Sequence, residues 1–241
     1  MAVSGLGYIA SVAFKIVDFA IQLAVILFAI SFHESAHAWT AWKLGDTTAK
    51  DLGRISLNPI RHLDPFGSVL LPALMYILSS GRMIFGAAKP TPVDLRNTRN
   101  PRLANLLVSA AGPVSNFLLA TVSLAALLAI KQGAPNAIVD LALAIQGDRF
   151  ASGTMAPVTY VLFQFTVVNV LLGVFNLIPI PPLDGSGVVV SVFGGSVARA
   201  YMTIAPFGFM ILILLLWSGF LSRILRPVIS AVYGLIFSGI A

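Results

Sequence analysis

The chain reads as an all-α polytopic membrane protein of about five to six transmembrane helices, with a small re-entrant or β element between the first two core helices. Hydrophobic residues make up 58% of it and charged residues 10%, against roughly 25% charged in soluble domains. Apolar runs recur along the chain at about the 20 residues that cross a bilayer core. The 241 residues leave space for such spans and short connections. A single membrane domain over 1–241 is therefore expected, with its core at about 16–190 and C-terminal helices at about 197–241.

In chain order, 16–42 is the first long apolar segment. Lys15 and Asp18 lie where a cleavable leader would have its apolar centre, so this first span is expected to be retained. The stretch "DLGRISLNPIRHLDP" in 43–64 and just beyond carries Pro, Asn, Gly and Asp, which favour turns. Segment 66–78 is apolar but has only thirteen residues, short for a perpendicular span and suited to a re-entrant or tilted piece. The stretch "SSGRMIFGAAKPTPVDLRNTRNPR" has Gly and Pro in an extended-looking run, which predicts a short edge strand or hairpin leading into a basic loop. Segments 103–130, 157–178, 197–220 and 224–241 are then predicted to be apolar helices.

The formal charge of +6 is no sign of nucleic acid, because the basic residues sit in short loops between apolar runs, as cytoplasmic loops do. Nine Lys or Arg fall between 43 and 102, against Lys131 and Arg149 alone in 131–156. The first region is thus expected in the cytoplasm. If both flanks of 66–78 are cytoplasmic, that segment enters and leaves by one face. The first and third core helices then end on the same side, so residues near those ends can meet. The chain has no cysteine, which excludes disulfides and thiolate metal sites.

Near the end of the first span stands "HESAH". On a helix, residues four apart share a face, so His33 and His37 can offer two imidazoles to one metal ion, with Glu34 beside them. Glu34 is the only glutamate of the chain, and His33 and His37 are two of its three histidines. Ionisable groups inside a membrane are costly and mark function by default. A catalytic zinc takes three protein ligands and keeps one position open. Asp184, in "NLIPIPPLDGSG", borders an apolar helix on the matching face and is the favoured third ligand. His62, in a Pro- and Asp-rich loop, is the alternative. Three histidines cannot build a di-iron site of the desaturase kind.

The combination of "HESAH", "GAAKPTPV", "SAAGPVSNFLLA" and "NVLLGVFNLIPIPPLDGSG", in that order over about 25–190, resembles the site-2 protease family of intramembrane zinc metalloproteases. The resemblance implies one Zn2+ per chain held by His33, His37 and Asp184, with Glu34 as catalytic acid/base. It also implies that Asn116 and Asn176 lie near the active site, where they are candidates to contact substrate or a developing oxyanion; the alternative is hydrogen bonding between helices. Many members carry an inserted PDZ or a C-terminal CBS domain; neither fits here, so a compact member is expected.

The implied activity is hydrolysis of peptide bonds in membrane-spanning substrates, within or near the bilayer, in regulated intramembrane proteolysis. The expected partners are a single-span substrate and the lipid bilayer, with the active site toward the cytoplasm. The "MIFGAAKPTPV" edge would pair with the unwound substrate by β-augmentation. Pro179, Pro181 and Pro182 should end the third core helix and hold Asp184 in a fixed turn. A metal-binding scaffold or a transporter is the competing reading. A transporter would spread ionisable groups along a path, whereas these gather at one end.

Overall fold

The computed structural model describes residues 5–78, 89–145 and 155–239. Its order is α1 (Gly5–Lys43), a single turn α2 (Thr48–Asp51), α3 (Leu71–Leu78), α4 (Pro101–Gly133), α5 (Pro135–Ile145), α6 (Ala156–Asn176), α7 (Asp184–Phe193), α8 (Gly195–Met202), α9 (Gly208–Trp217) and α10 (Phe220–Phe237). No strand occurs among the described residues. Among the described residues, five helical stretches are long and apolar enough to cross a membrane: Lys15–Lys43, Pro101–Gly133, Ala156–Asn176, Gly195–Trp217 and Phe220–Phe237. They coincide with the five runs expected from hydropathy.

Two expectations need correction or restriction. Segment 66–78 is helical throughout, a π-type turn over Pro65–Leu70 running into α3. At about 1.5 Å per residue this piece is too short to span a bilayer core. Asp64 starts it, accepting from Gly67 N–H at 2.6 Å with Pro65 in the first turn, a capped start of the usual kind. The expected edge strand falls largely on 79–88, outside the described residues; 89–94, its described end, has no regular secondary structure.

The loop expected over 131–156 instead holds α5. Its Ile138 and Leu141 are fully buried with Leu127 of α4, Tyr160 and Phe163 of α6, and Val232 and Ile236 of α10. Ala137, Ile138, Leu141 and Ala144 recur at helical spacing and form its buried face. An eleven-residue helix is too short to register as a span, and Pro135 at its start reads as a turn signal.

Helix α4 packs against α1, α6 and α7. Asn100 caps it by accepting from Leu103 N–H at 3.1 Å, with Pro101 in the first turn. Polar side chains join the spans inside the core, with Thr166 donating to Ser123 at 3.0 Å and Asn116 to Asn169 at 2.8 Å. At the other end of α1 from the histidines, buried Asp18 accepts from Tyr76 of α3 and Gln22 at 3.0 and 2.8 Å, and from Tyr160 of α6. That carboxylate binds the short α3 to two spans. Buried polar groups of this kind are costly unless fully partnered, so the network favours one arrangement of the three helices.

Candidate active site

Helix α6 stops at Asn176, and the prolines at 179, 181 and 182 prevent its continuation. The chain turns through Leu183, in extended backbone, and α7 begins at Asp184. The turn is tight. A Cβ at Gly185 would lie 2.3 Å from the Leu177 carbonyl oxygen, so only glycine lets α7 start there. Helix α4 fixes the other end of α7, with Arg102 donating to the Ser191 and Val192 carbonyls at 2.5 and 2.6 Å. Asn105 adds bonds to the Gly187 carbonyl and Ser191 Oγ at 2.9 and 2.8 Å. A cationic cap on terminal carbonyls suits the negative end of a helix.

This turn delivers Asp184 to the imidazoles of α1. His33 Nε2 lies 3.0 Å from Asp184 Oδ2, and His37 Nε2 lies 3.4 Å from Oδ1. The two Nε2 atoms are 3.0 Å apart. His33 and His37 are both buried, each 7% exposed. Three potential ligands from two helices thus converge within 4.8 Å.

The far side of each ring fixes its protonation. His37 Nδ1 is 2.6 Å from the Val108 carbonyl, which can only accept, so Nδ1 carries the proton. His33 Nδ1 is 2.6 Å from Asn116 Oδ1. The orientation of that amide follows from its other bonds: Asn116 Nδ2 donates to Asn169 Oδ1 and to the Ala29 carbonyl, and Asn169 Nδ2 donates to the Phe165 carbonyl. A line of donors and acceptors runs from α6 through α4 to α1 and leaves Asn116 Oδ1 as acceptor. Both Nδ1 atoms donate, so in the neutral rings both Nε2 lone pairs face each other beside a carboxylate. Asp184 Oδ2 is buried with no hydrogen-bond partner. Facing lone pairs and an orphaned carboxylate oxygen suit a cation, and two nitrogens with one oxygen suit zinc with a position left open.

A family comparison agrees with the donor set. The model of peptidase family M50 matches residues 21–216. The chain belongs to peptidase family M50, the site-2 protease family. It is 40% identical over 86% of its length to YwhC of Bacillus subtilis (strain 168), covering 85% of that protein. It is 32% identical to Rip2 of Mycolicibacterium smegmatis over 85% of this chain and 70% of that one. Both relatives are named as candidate zinc metalloproteases. No solved structure matches the chain. As an M50 member this multi-pass membrane protein is a zinc metalloprotease, and His33, His37 and Asp184 are the donors that fit the ion.

The other site residues expected from sequence take different places. Glu34 is half-buried and its Oε2 accepts from Thr91 N–H at 2.8 Å; Oε1 has no protein partner among the described residues. His62 stands outside the ligand group, buried in its own loop with Nε2 donating to the Ser56 carbonyl at 2.7 Å. Asn116 is fully buried behind His33, and both its amide hydrogens are used. It has none to offer an oxyanion, and its Oδ1 instead accepts from His33 Nδ1. Asn176 turns back on its own helix, donating to the Leu172 carbonyl at 3.0 Å.

Sequence reasoning missed Gly112, Asn169 and Thr91. A Cβ at Gly112 would lie 2.5 Å from ring atoms of both His33 and His37. The M50 site thus needs a bare backbone where α4 crosses the imidazoles. Gly112 and Thr91 lie inside "SAAGPVSN" and "GAAKPTPV", so the motifs marked the segments but not the roles. Asn169 had no signal beyond being an amide within an apolar helix.

Proposed function

We propose that the chain cleaves single-span membrane proteins inside the bilayer, near its cytoplasmic face, as a step of regulated intramembrane proteolysis. The observation that carries this reading is where the ligands stand on a membrane span. His33 and His37 lie ten and six residues before Lys43, the end of α1, about 15 and 9 Å along its axis. A peptide bond reaching them has entered the bilayer from its edge.

Held by His33, His37 and Asp184, a zinc ion would supply Lewis acidity toward the scissile carbonyl and toward water near neutral pH. The chain's own groups do the rest. Glu34, with Oε2 engaged by Thr91, keeps Oε1 to take a proton from the attacking water and to deliver one to the leaving amine. Asn116 and the Val108 carbonyl hold the two imidazoles with Nε2 unprotonated, as metal binding requires. A substrate helix has its carbonyls occupied by its own hydrogen bonds, so it must unwind locally before one can be attacked.

The nine basic residues between 43 and 102 support a cytoplasmic site, since short basic loops stay inside. The test is to incubate the purified full chain in vesicles with a panel of single-span peptides, with and without a chelator. Cleavage of a span that the chelator stops and added zinc restores is the expected result. Cleavage only of soluble peptides would overturn the membrane-substrate reading, and binding without cleavage would favour a scaffold.

A further inference from the structure

The carboxylate of Glu34 is held from outside its helix, by residues 89–93 with sequence Lys-Pro-Thr-Pro-Val. The prolines at 90 and 92 carry no N–H and favour extended backbone at the residues before them, Lys89 and Thr91. Within Pro90-Thr91-Pro92 the only backbone donor is therefore Thr91 N–H, and it goes to Glu34 Oε2 at 2.8 Å. Thr91 Oγ1 donates to the main-chain carbonyl of the same residue, Glu34, at 3.1 Å.

Both ends of this run are tied. Lys89 N–H donates to the His62 carbonyl at 3.0 Å. Asp94 N–H donates to Asp46 Oδ2 at 2.7 Å, and Asn97 Nδ2 donates to Asp46 Oδ1 at 3.1 Å. Asp46 is fully buried just beyond the end of α1. The run is thus anchored on both sides of the contact, by the His62 loop before it and by Asp46, just beyond the end of α1, after it. A glutamate on a helix surface has three rotatable side-chain bonds; here a backbone donor fixed at both ends selects one arrangement.

We propose that Thr91 is a positioning residue for the general base. Its N–H occupies Oε2 and its hydroxyl fixes the run against α1, which leaves Oε1 as the oxygen that handles the water proton. This rests on the peptidase reading of Glu34. It assigns the Pro-Thr-Pro sequence a role in orienting a catalytic group, through a charge-assisted bond from a backbone donor.

The experiment compares wild type, Thr91→Ser, Thr91→Val, Thr91→Pro and Glu34→Gln as full chains in vesicles, with a single-span peptide that the wild type cleaves. Zinc content, kcat and KM are measured for each. Thr91→Ser keeps both donors and should stay within about twofold of wild type, while misplacing a reacting group typically costs up to roughly 10²-fold. Thr91→Val, which keeps the N–H, should lose part of kcat. Thr91→Pro, which loses both donors, should lose roughly ten- to a hundredfold of kcat, with KM and zinc unchanged.

A zinc-replete Thr91→Pro with wild-type kcat, or one whose defect is a raised KM alone, overturns the proposal. If Thr91→Pro does not retain zinc, the other pair decides: a slow Thr91→Val beside a normal Thr91→Ser supports it, and equal rates overturn it. Full activity in Glu34→Gln would remove the general base itself. An inactive Glu34→Gln beside unaffected Thr91 variants would overturn the positioning role alone.

Discussion

At the scale of single residues, the decisive feature is that Nδ1 of both His33 and His37 is engaged on the side away from the metal position. Asn116 and Val108 set the proton on the far side of each ring, so metal affinity should depend on residues that never touch the ion. One zinc per chain is predicted in the purified protein, strongly reduced in His37→Ala and Asp184→Ala and little changed in His62→Ala. Asn116→Ala should bind zinc about 10- to 100-fold more weakly, the usual effect of losing such a partner. Titration with a competing chelator measures it; unchanged affinity would mean that Asn116 serves packing alone. The pairing of His33 with His37 was legible in sequence because i, i+4 histidines share a helix face whatever lies around them. The role of Asn116 was not, because which side of His33 it meets is decided by how α4 crosses α1.

Elements show a similar division. Long spans follow from local hydropathy, and each of the five appeared where composition put it. Helix α5 did not, since its burial depends on α4, α6 and α10 arriving around it. The loop after α1 is a third case, whose many turn residues gave no sign of its anchor. Burial alone would raise the Asp46 carboxyl, but hydrogen bonds from Thr48, from Asp94 N–H and from Asn97 outweigh it and hold the group below its usual value. A depressed folded pKa means that this carboxylate stabilises the loop above about pH 4, and that the contribution fades as pH falls through the lower folded value. Amide protection at residues 94–97, measured relative to the intrinsic exchange rate at each pH, should therefore fall on acidification below pH about 4 in wild type. In Asp46→Asn, protection should be lower at neutral pH and nearly flat across the same range. Equal pH response in the two proteins would assign the loop's acid sensitivity to another group.

For the whole molecule, a cytoplasmic site requires one sidedness of the chain in the bilayer. The absence of cysteine makes single-cysteine reporters clean, and positions 50 and 96 should label from the cytoplasm while 131 labels from the opposite face. Opposite labelling of 50 and 96 would mean that the connection containing 66–78 crosses the membrane. The charge asymmetry was readable from sequence; the meeting of α1 with the turn after α6 was inferred from it, and the structure brings His33, His37 and Asp184 together. The central claim is that Glu34 moves the proton in a zinc-dependent cleavage within the membrane. It is tested most directly by measuring cleavage of a single-span substrate and zinc content side by side in wild type and Glu34→Gln. The substitution keeps the size of the side chain and all three ligands, so zinc should remain at one equivalent while cleavage falls by about 10²- to 10⁴-fold, the typical share of a general base. Cleavage near the wild-type rate by a zinc-loaded Glu34→Gln would contradict the account.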